Sequence, residues 1–150
     1  MLPKTEIRYS WVYNKQFYQE FTFEDLKQLK EDSKEFEKLF KKYRAKILKA
    51  IEKETRQWEK KYIPIYIIKA HRISFSDPLT INYRENTKFM LIMLIHELLH
   101  NNIPKMSKSG SFKTVKEVHL YMSTLIPKIL NNIPLDLTEE NKILDKITLR

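Results

Sequence analysis

Between Leu26 and Ile51 the apolar positions fall at Leu29, Phe36, Phe40, Tyr43, Ile47, Ala50 and Ile51, with Lys, Glu and Arg filling most of the gaps. A spacing close to seven residues makes one face of a helix. Thr22 precedes the stripe as an N-cap, Asp25 stands where it completes a capping box, and Phe21 and Leu26 are placed as a hydrophobic staple. An unbroken helix from 23 to 60 would be roughly 55 Å long, more than a small domain's diameter, so it must break or protrude. Its stripe either backs the chain's own core or forms a coiled-coil seam for a homodimer.

Residues 63–83 change to a period of two. Ile63, Ile65, Ile67 and Ile68, then Ile73 and Phe75, then Leu79, Ile81 and Tyr83 predict three short strands, 63–68, 72–76 and 79–83, in a small antiparallel sheet. Helix signals resume at Asn86 and Thr87, either of which can cap the run 88–100, apolar on every side and therefore the central, buried helix. Asn101-Asn102-Ile103-Pro104 ends it, and the same four letters at 131–134 end the next helix, 112–130. In both, Asn suits a left-handed cap and Pro forbids continuation. Val115, Val118, Met122, Leu125 and Ile129 face inward on that helix, and Pro127 marks a kink or an early end.

Residues 1–22 are aromatic-rich (Tyr9, Trp11, Tyr13, Phe17, Tyr18) without a clear period and predict an irregular or short-strand segment. In the tail, 131–150, Thr138 caps a short last helix, 139–149. Leu135, Leu137, Ile143, Leu144 and Ile147 give the tail an apolar face that docks on the core or over a cleft. With no linker to divide it, residues 1–150 read as a single α+β domain: a long backing helix, a three-stranded sheet, a buried central helix and a downstream helix.

Composition narrows the function. An apolar content of 42% excludes disorder, and the absence of cysteine excludes disulfides, thiolate-bound zinc, iron–sulfur clusters and thiol catalysis. The N-terminal residues lack a signal core and the longest apolar run is too short for a membrane span, so a soluble, cytoplasmic protein is expected. The net charge is +9, and residues 38–61 hold ten Lys or Arg against three Glu, with Tyr43 and Trp58 nearby. Such a run is a solvated helix face or the footprint of nucleic acid. A basic nucleic-acid-binding or assembly module, with a structural metal site or none, is therefore the competing reading.

The residues that carry chemistry are His96-Glu97-Leu98-Leu99-His100, an H-E-x-x-H motif. Positions i and i+4 lie one turn apart on one helix face, so both imidazoles can ligate one ion while Glu97 acts as general base on a water. In random order this composition gives the motif roughly once in a hundred chains. Its setting at the end of an apolar helix adds weight, because unpaired His and Glu there carry a desolvation cost that a metal offsets. The extended pattern with a third His six residues on fails, since position 103 is Ile and position 106 is Met. The third ligand is then Glu117 or His119, which point about 200° apart on their helix so that only one can serve. Glu117 is favoured, giving a His₂Glu set; His119 and Asp136 remain alternatives, as does a site without a third ligand.

Long helix, small sheet, H-E-L-L-H helix and Glu-bearing helix together resemble the gluzincin zinc metallopeptidases, most of all the small single-domain minigluzincins. The resemblance covers roughly residues 23–130, and its motif residues are His96, Glu97, His100 and Glu117. It implies a zincin-like fold, one Zn²⁺ per chain held by His96, His100 and Glu117, and Glu97 as general base and acid in peptide hydrolysis. Tyr121 stands four residues after Glu117, where larger gluzincins carry an acid and minigluzincins an amide. A peptide or protein substrate would lie extended along 79–83, with an oxyanion donor drawn from Tyr121, His119, His71, Tyr83 and Arg84. A tail over the cleft would make the enzyme latent.

Overall fold

The structure, a computed structural model, describes residues 1–70, 74–103 and 115–148. The expectations for His71, Arg72 and Ile73, for Pro104, for 112–114 and for position 149 lie outside the described residues.

The first strand, β1 (Lys4–Arg8), has Ile7 as its one apolar residue, so no alternation announces it. Ser10 then caps a short helix, α1 (Trp11–Phe17), its Oγ accepting from Tyr13 N at 3.1 Å. Residues 1–22 are thus a strand and a helix rather than an irregular segment. The capping box at Thr22 forms as expected, Thr22 Oγ1 accepting from Asp25 N and Asp25 Oδ2 from Thr22 N, and it starts α2 (Phe23–Asp32).

The long helix breaks at Ser33, a small, fully buried residue, and resumes as α3 (Lys34–Glu54). Phe36, Phe40, Tyr43, Ile47, Ala50 and Ile51 are all buried within the chain's own core, so the stripe is not free to serve as a dimer seam. The lysines of the basic run, Lys38, Lys41, Lys42, Lys46, Lys49 and Lys53, are exposed. Tyr43 and Trp58 are buried, Trp58 donating from Nε1 to Leu48 O, so neither ring offers a face on which bases could stack.

The sheet departs from the expected three antiparallel strands. It has four, in the order β1-β2-β4-β3, with β2 at Tyr62–Ile68, β3 at Phe75–Ser76 and β4 at Leu79–Asn82. β1 pairs parallel with β2 and β2 parallel with β4; only the β3–β4 hairpin, turning through a cis Asp77-Pro78 bond, is antiparallel. Parallel neighbours need a crossover, which α1, α2 and α3 supply between β1 and β2. Alternation along β2 buries Ile63, Ile65 and Ile67, whereas all four residues of β4 are buried, as suits a strand paired on both sides.

Helix α4 (Thr87–Asn102) is the central rod. Asn86 rather than Thr87 is its cap, accepting from Phe89 N at 3.0 Å. It touches α3, α5 (Val115–Leu130), α6 (Thr138–Thr148), β3 and β4, and residues 89–99 are buried throughout. Its end is tied down by side chains instead of a left-handed cap: no described non-glycine residue has positive φ, and Ile103 is extended, as a residue before proline must be. Asn102 Nδ2 donates to Thr55 Oγ1 and Arg56 O, while Arg56 Nε donates back to Asn102 O. Pro127 lies inside α5 without ending it, and α6 starts at Thr138, whose N–H donates to Asp136 Oδ1.

These ties carry a test. Asn102→Ala leaves the part-buried Arg56 carbonyl short of a donor and is expected to destabilise the fold by about 1–3 kcal/mol, against about 1 kcal/mol for loss of the cap in Thr22→Ala. Denaturant unfolding of the two variants should give that order; the reverse order would show that the α3–α4 tie is dispensable.

Candidate metal centre

The last two turns of α4 present His96 and His100 on one face, and the second turn of α5 brings His119 to them. His100 Nε2 lies 3.2 Å from His96 Nε2 and 3.2 Å from His119 Nε2. One ring nitrogen from each histidine falls within 4.8 Å of the others, so the three lie close enough to hold a metal ion, and they form the only such group among the described residues. Ligand nitrogens about 2.0–2.1 Å from a tetrahedral ion sit about 3.3 Å apart, close to the two spacings seen here.

Glu117 is exposed and lies outside the cluster, whose third member is His119. The reason lies in the phase of α5. Met122, Leu125, Ile126 and Ile129 are buried and fix the core face. At about 100° per residue, His119 lies on the edge of that face and Glu117 well round the other side. The spacing from His119 to Met122, Ile126 and Ile129 (i, i+3, i+7, i+10) is a signal in the sequence that would have pointed to it, had it been weighed above ligand chemistry.

Burial sets the electrostatics. His96 and Glu97 are almost inaccessible, 6% and 5% exposed, and His100 and His119 are half-buried. Desolvation, reinforced by repulsion from His100 and His119, pushes His96 down to about 3. Desolvation and then His119 push His100 down to about 4. His119 is also lowered by burial, with the nearby Thr148 backbone acting in the opposite sense. All three rings are therefore neutral at pH 7, the form that binds metal. Burial pushes the Glu97 carboxyl up to about 8. Its Oε1 lies 3.8 Å from His96 Nε2, and its Oε2 has no partner among the described residues.

The rings open on a cavity of about 280 Å³. Phe75, Phe89, Met93, Leu144 and Ile147 give it apolar walls; Ser74 and Ser76 of the edge-strand segment and Arg84 add polar groups. A larger hollow of about 450 Å³, between Tyr18, Asp25, Tyr83 and Arg84, has no histidine and no part of the motif among the described residues that line it. Of the expected oxyanion donors, Arg84 and His119 line the cleft, Tyr83 lines the larger hollow and Tyr121 is exposed on α5. The tail does both things foreseen for it: Leu137 and Leu144 join the core, while Leu144 and Ile147 wall the cleft. The strand expected to receive substrate, β4, is flanked on both sides; the edge strand beside the cleft is β3.

No known protein family matches the chain, and comparisons with curated proteins and with solved structures find no match. Among the described residues no helix is long and apolar enough to cross a membrane.

The depressed histidines make acid destabilise the metal-free protein. Unfolded histidine takes up a proton near 6.5, while His96 and His100 in the fold wait until about 3 and about 4. Below 6.5 the unfolded chain therefore binds more protons and gains on the fold. Glu97, raised from 4.5 to about 8, acts in the opposite sense between those values. A His96→Ala/His100→Ala variant keeps Glu97, so comparison with it isolates the histidines. In excess chelator, Tm is expected to fall more steeply from pH 6.5 to 4 in the parent than in the variant; parallel profiles would show that the rings are not buried together.

Proposed function

We propose that the protein is a metal-dependent hydrolase, a zinc peptidase of the zincin type in which His96, His100 and His119 hold one ion and Glu97 is the general base. The observation that carries this reading is the convergence of three neutral imidazole nitrogens beside a buried carboxyl at the wall of an open cleft. Three nitrogen donors with no carboxylate suit Zn²⁺ rather than Mg²⁺ or Ca²⁺, and three ligands leave a tetrahedral position for water. The reading keeps the H-E-x-x-H chemistry of the zincins and departs from the gluzincin pattern in its third ligand.

A bound divalent ion supplies the Lewis acidity that brings the pKa of water to about 7 and polarises a carbonyl. Glu97, next to His96, accepts the proton of the attacking water and returns it to the leaving amine. Its buried site raises its basicity, which fits it for proton transfer near neutral pH. Arg84, at the cleft rim with its guanidinium over the Phe89 ring, offers donors to a carbonyl oxygen or a substrate carboxylate. An extended peptide adds to the outer edge of the sheet at β3, held there by main-chain hydrogen bonds while the apolar walls take a hydrophobic side chain.

Purified protein is expected to carry one zinc per chain, lost in His96→Ala and in His119→Ala and retained in Glu117→Ala. Zinc retained in His119→Ala and lost in Glu117→Ala would return the third ligand to the acid. Glu97→Gln is expected to keep the metal and to lower cleavage of quenched fluorescent peptides by about 100-fold or more. Undiminished cleavage in that variant would remove Glu97 from the mechanism. Arg84→Ala should slow cleavage while leaving zinc content unchanged.

A further inference from the structure

We propose that the solvent face of α3 is a docking surface for double-stranded nucleic acid, a row of lysines that grips the phosphate backbone without reading sequence. Lys34, Lys38, Lys42, Lys46, Lys49 and Lys53 follow one another at steps of three or four residues, and all are exposed. With Lys41, also exposed, they fall within an arc of about 140° at about 100° per residue. The row is roughly 28 Å long at 1.5 Å per residue, most of a duplex turn of about 34 Å.

Pairing sets this row apart from an ordinary solvated face. An exposed helix neutralises its lysines with acids one turn away, as Lys27–Glu24, Lys34–Glu31 and Lys142–Glu139 do at 3.4, 2.7 and 3.6 Å. From residue 38 to residue 51, by contrast, the chain has six basic residues and no acid. Lys38 reaches back to Glu35 at 3.6 Å, but Lys41, Lys42, Lys46, Lys49 and Lys53 form no ion pair among the described residues. Lys42 has Lys38 one turn before it and Lys46 one turn after, and like charges at that spacing weaken a helix. The helix holds because its other face is buried in the core. A local rule broken over several turns marks a surface shaped for something other than stability. A polyanion meets that description, since each phosphate that a lysine neutralises releases a condensed counterion.

The rest of the helix selects the occupant. No large apolar side chain of α3 is exposed and Tyr43 is buried, so the unstacked bases of a single strand have no ring to lie on. The apolar face is committed to the core, so none is left to enter a lipid headgroup layer. Sequence readout is missing as well. Arg44, the one arginine of α3, turns to the first strand, its Nε donating to Thr5 Oγ1 at 2.7 Å and its Nη2 to Pro3 O. What remains are lysines, point charges that suit phosphate rather than base edges. None of them is among the described residues that line the histidine cleft, so the surface stands whether or not that site holds a metal.

In fluorescence anisotropy, the full chain is expected to bind a random-sequence DNA duplex with log K falling against log salt at a slope of about −4 to −6, as about five to seven neutralised phosphates require. Lys42→Gln/Lys46→Gln/Lys49→Gln should take about 3 off that slope and weaken binding about 10-fold or more. Lys128→Gln/Lys142→Gln/Lys146→Gln removes the same charge from α5 and α6 and should weaken it by less than about threefold. The row variant loses like-charge neighbours, so its Tm is expected to match or exceed the parent's. Lys46→Gln alone should take about 1 off the slope, which keeps the test open if the triple variant does not fold. Equal weakening by the two triple variants would reduce the effect to net charge and overturn the proposal. So would tighter binding to the single strand, loss of duplex binding in chelator, binding to phosphatidylserine vesicles without binding to duplex, or no duplex binding at about 50 mM salt.

Discussion

The burial of α4 on every side is the constraint from which the rest of the structure follows. A helix with apolar residues around its whole circumference needs cover all round, and it receives that cover from β4, β3, α3, α5 and α6. Its last turns carry His96, Glu97 and His100 into the same low-dielectric surroundings. There every polar atom must find a partner or bear the cost of lost hydration. His100 Nε2 faces two other ring nitrogens at 3.2 Å, yet a neutral imidazole has only one proton to share. His96 Nδ1 and Glu97 Oε2 have no protein partner among the described residues. A cation at the three nitrogens relieves that crowding, because three lone pairs that repel one another become three ligand bonds.

The central helix was legible because burial and pattern agree there: no polar letter interrupts 89–95, and Asn86 and Pro104 bracket the run. The capping box at Thr22 was legible for the same reason, since it is a local bargain among four consecutive residues. The sheet was legible only in part. Alternation identifies β2 and β4 but carries no information on direction, which is decided by what the chain does between strands. Nor does it identify β1, an edge strand whose Lys4, Thr5, Glu6 and Arg8 mostly face outward and whose stability comes from pairing with β2. The parallel pairing required knowing that three helices intervene between β1 and β2.

The candidate site shows a different limit. The i, i+4 rule places His96 and His100 together from letters alone, because both ride on one rigid element. The third ligand rides on another, and its identity depends on the rotation of α5 about its axis. Glu117 was preferred on the chemistry of the His₂Glu set, whereas the helix turns according to where Met122, Ile126 and Ile129 must go. Packing decided the phase, and the phase brought His119 rather than Glu117 to the pair.

Replacing a ligand carboxylate by a third imidazole changes the charge balance of such a site by one unit. With three neutral donors a divalent ion keeps its full +2, and ionised Glu97 brings the local sum to +1 before Arg84 at the rim is counted. A more positive site lowers the pKa of water further and favours the oxyanion that develops during acyl transfer. It also acts against the burial that pushes Glu97 upward, because a nearby cation favours the ionised carboxyl. The same exchange leaves the cleft without an anionic ligand to repel acidic substrates. If the site holds a metal as proposed, apolar walls with a cationic floor and rim would suit a neutral or acidic peptide carrying a hydrophobic side chain.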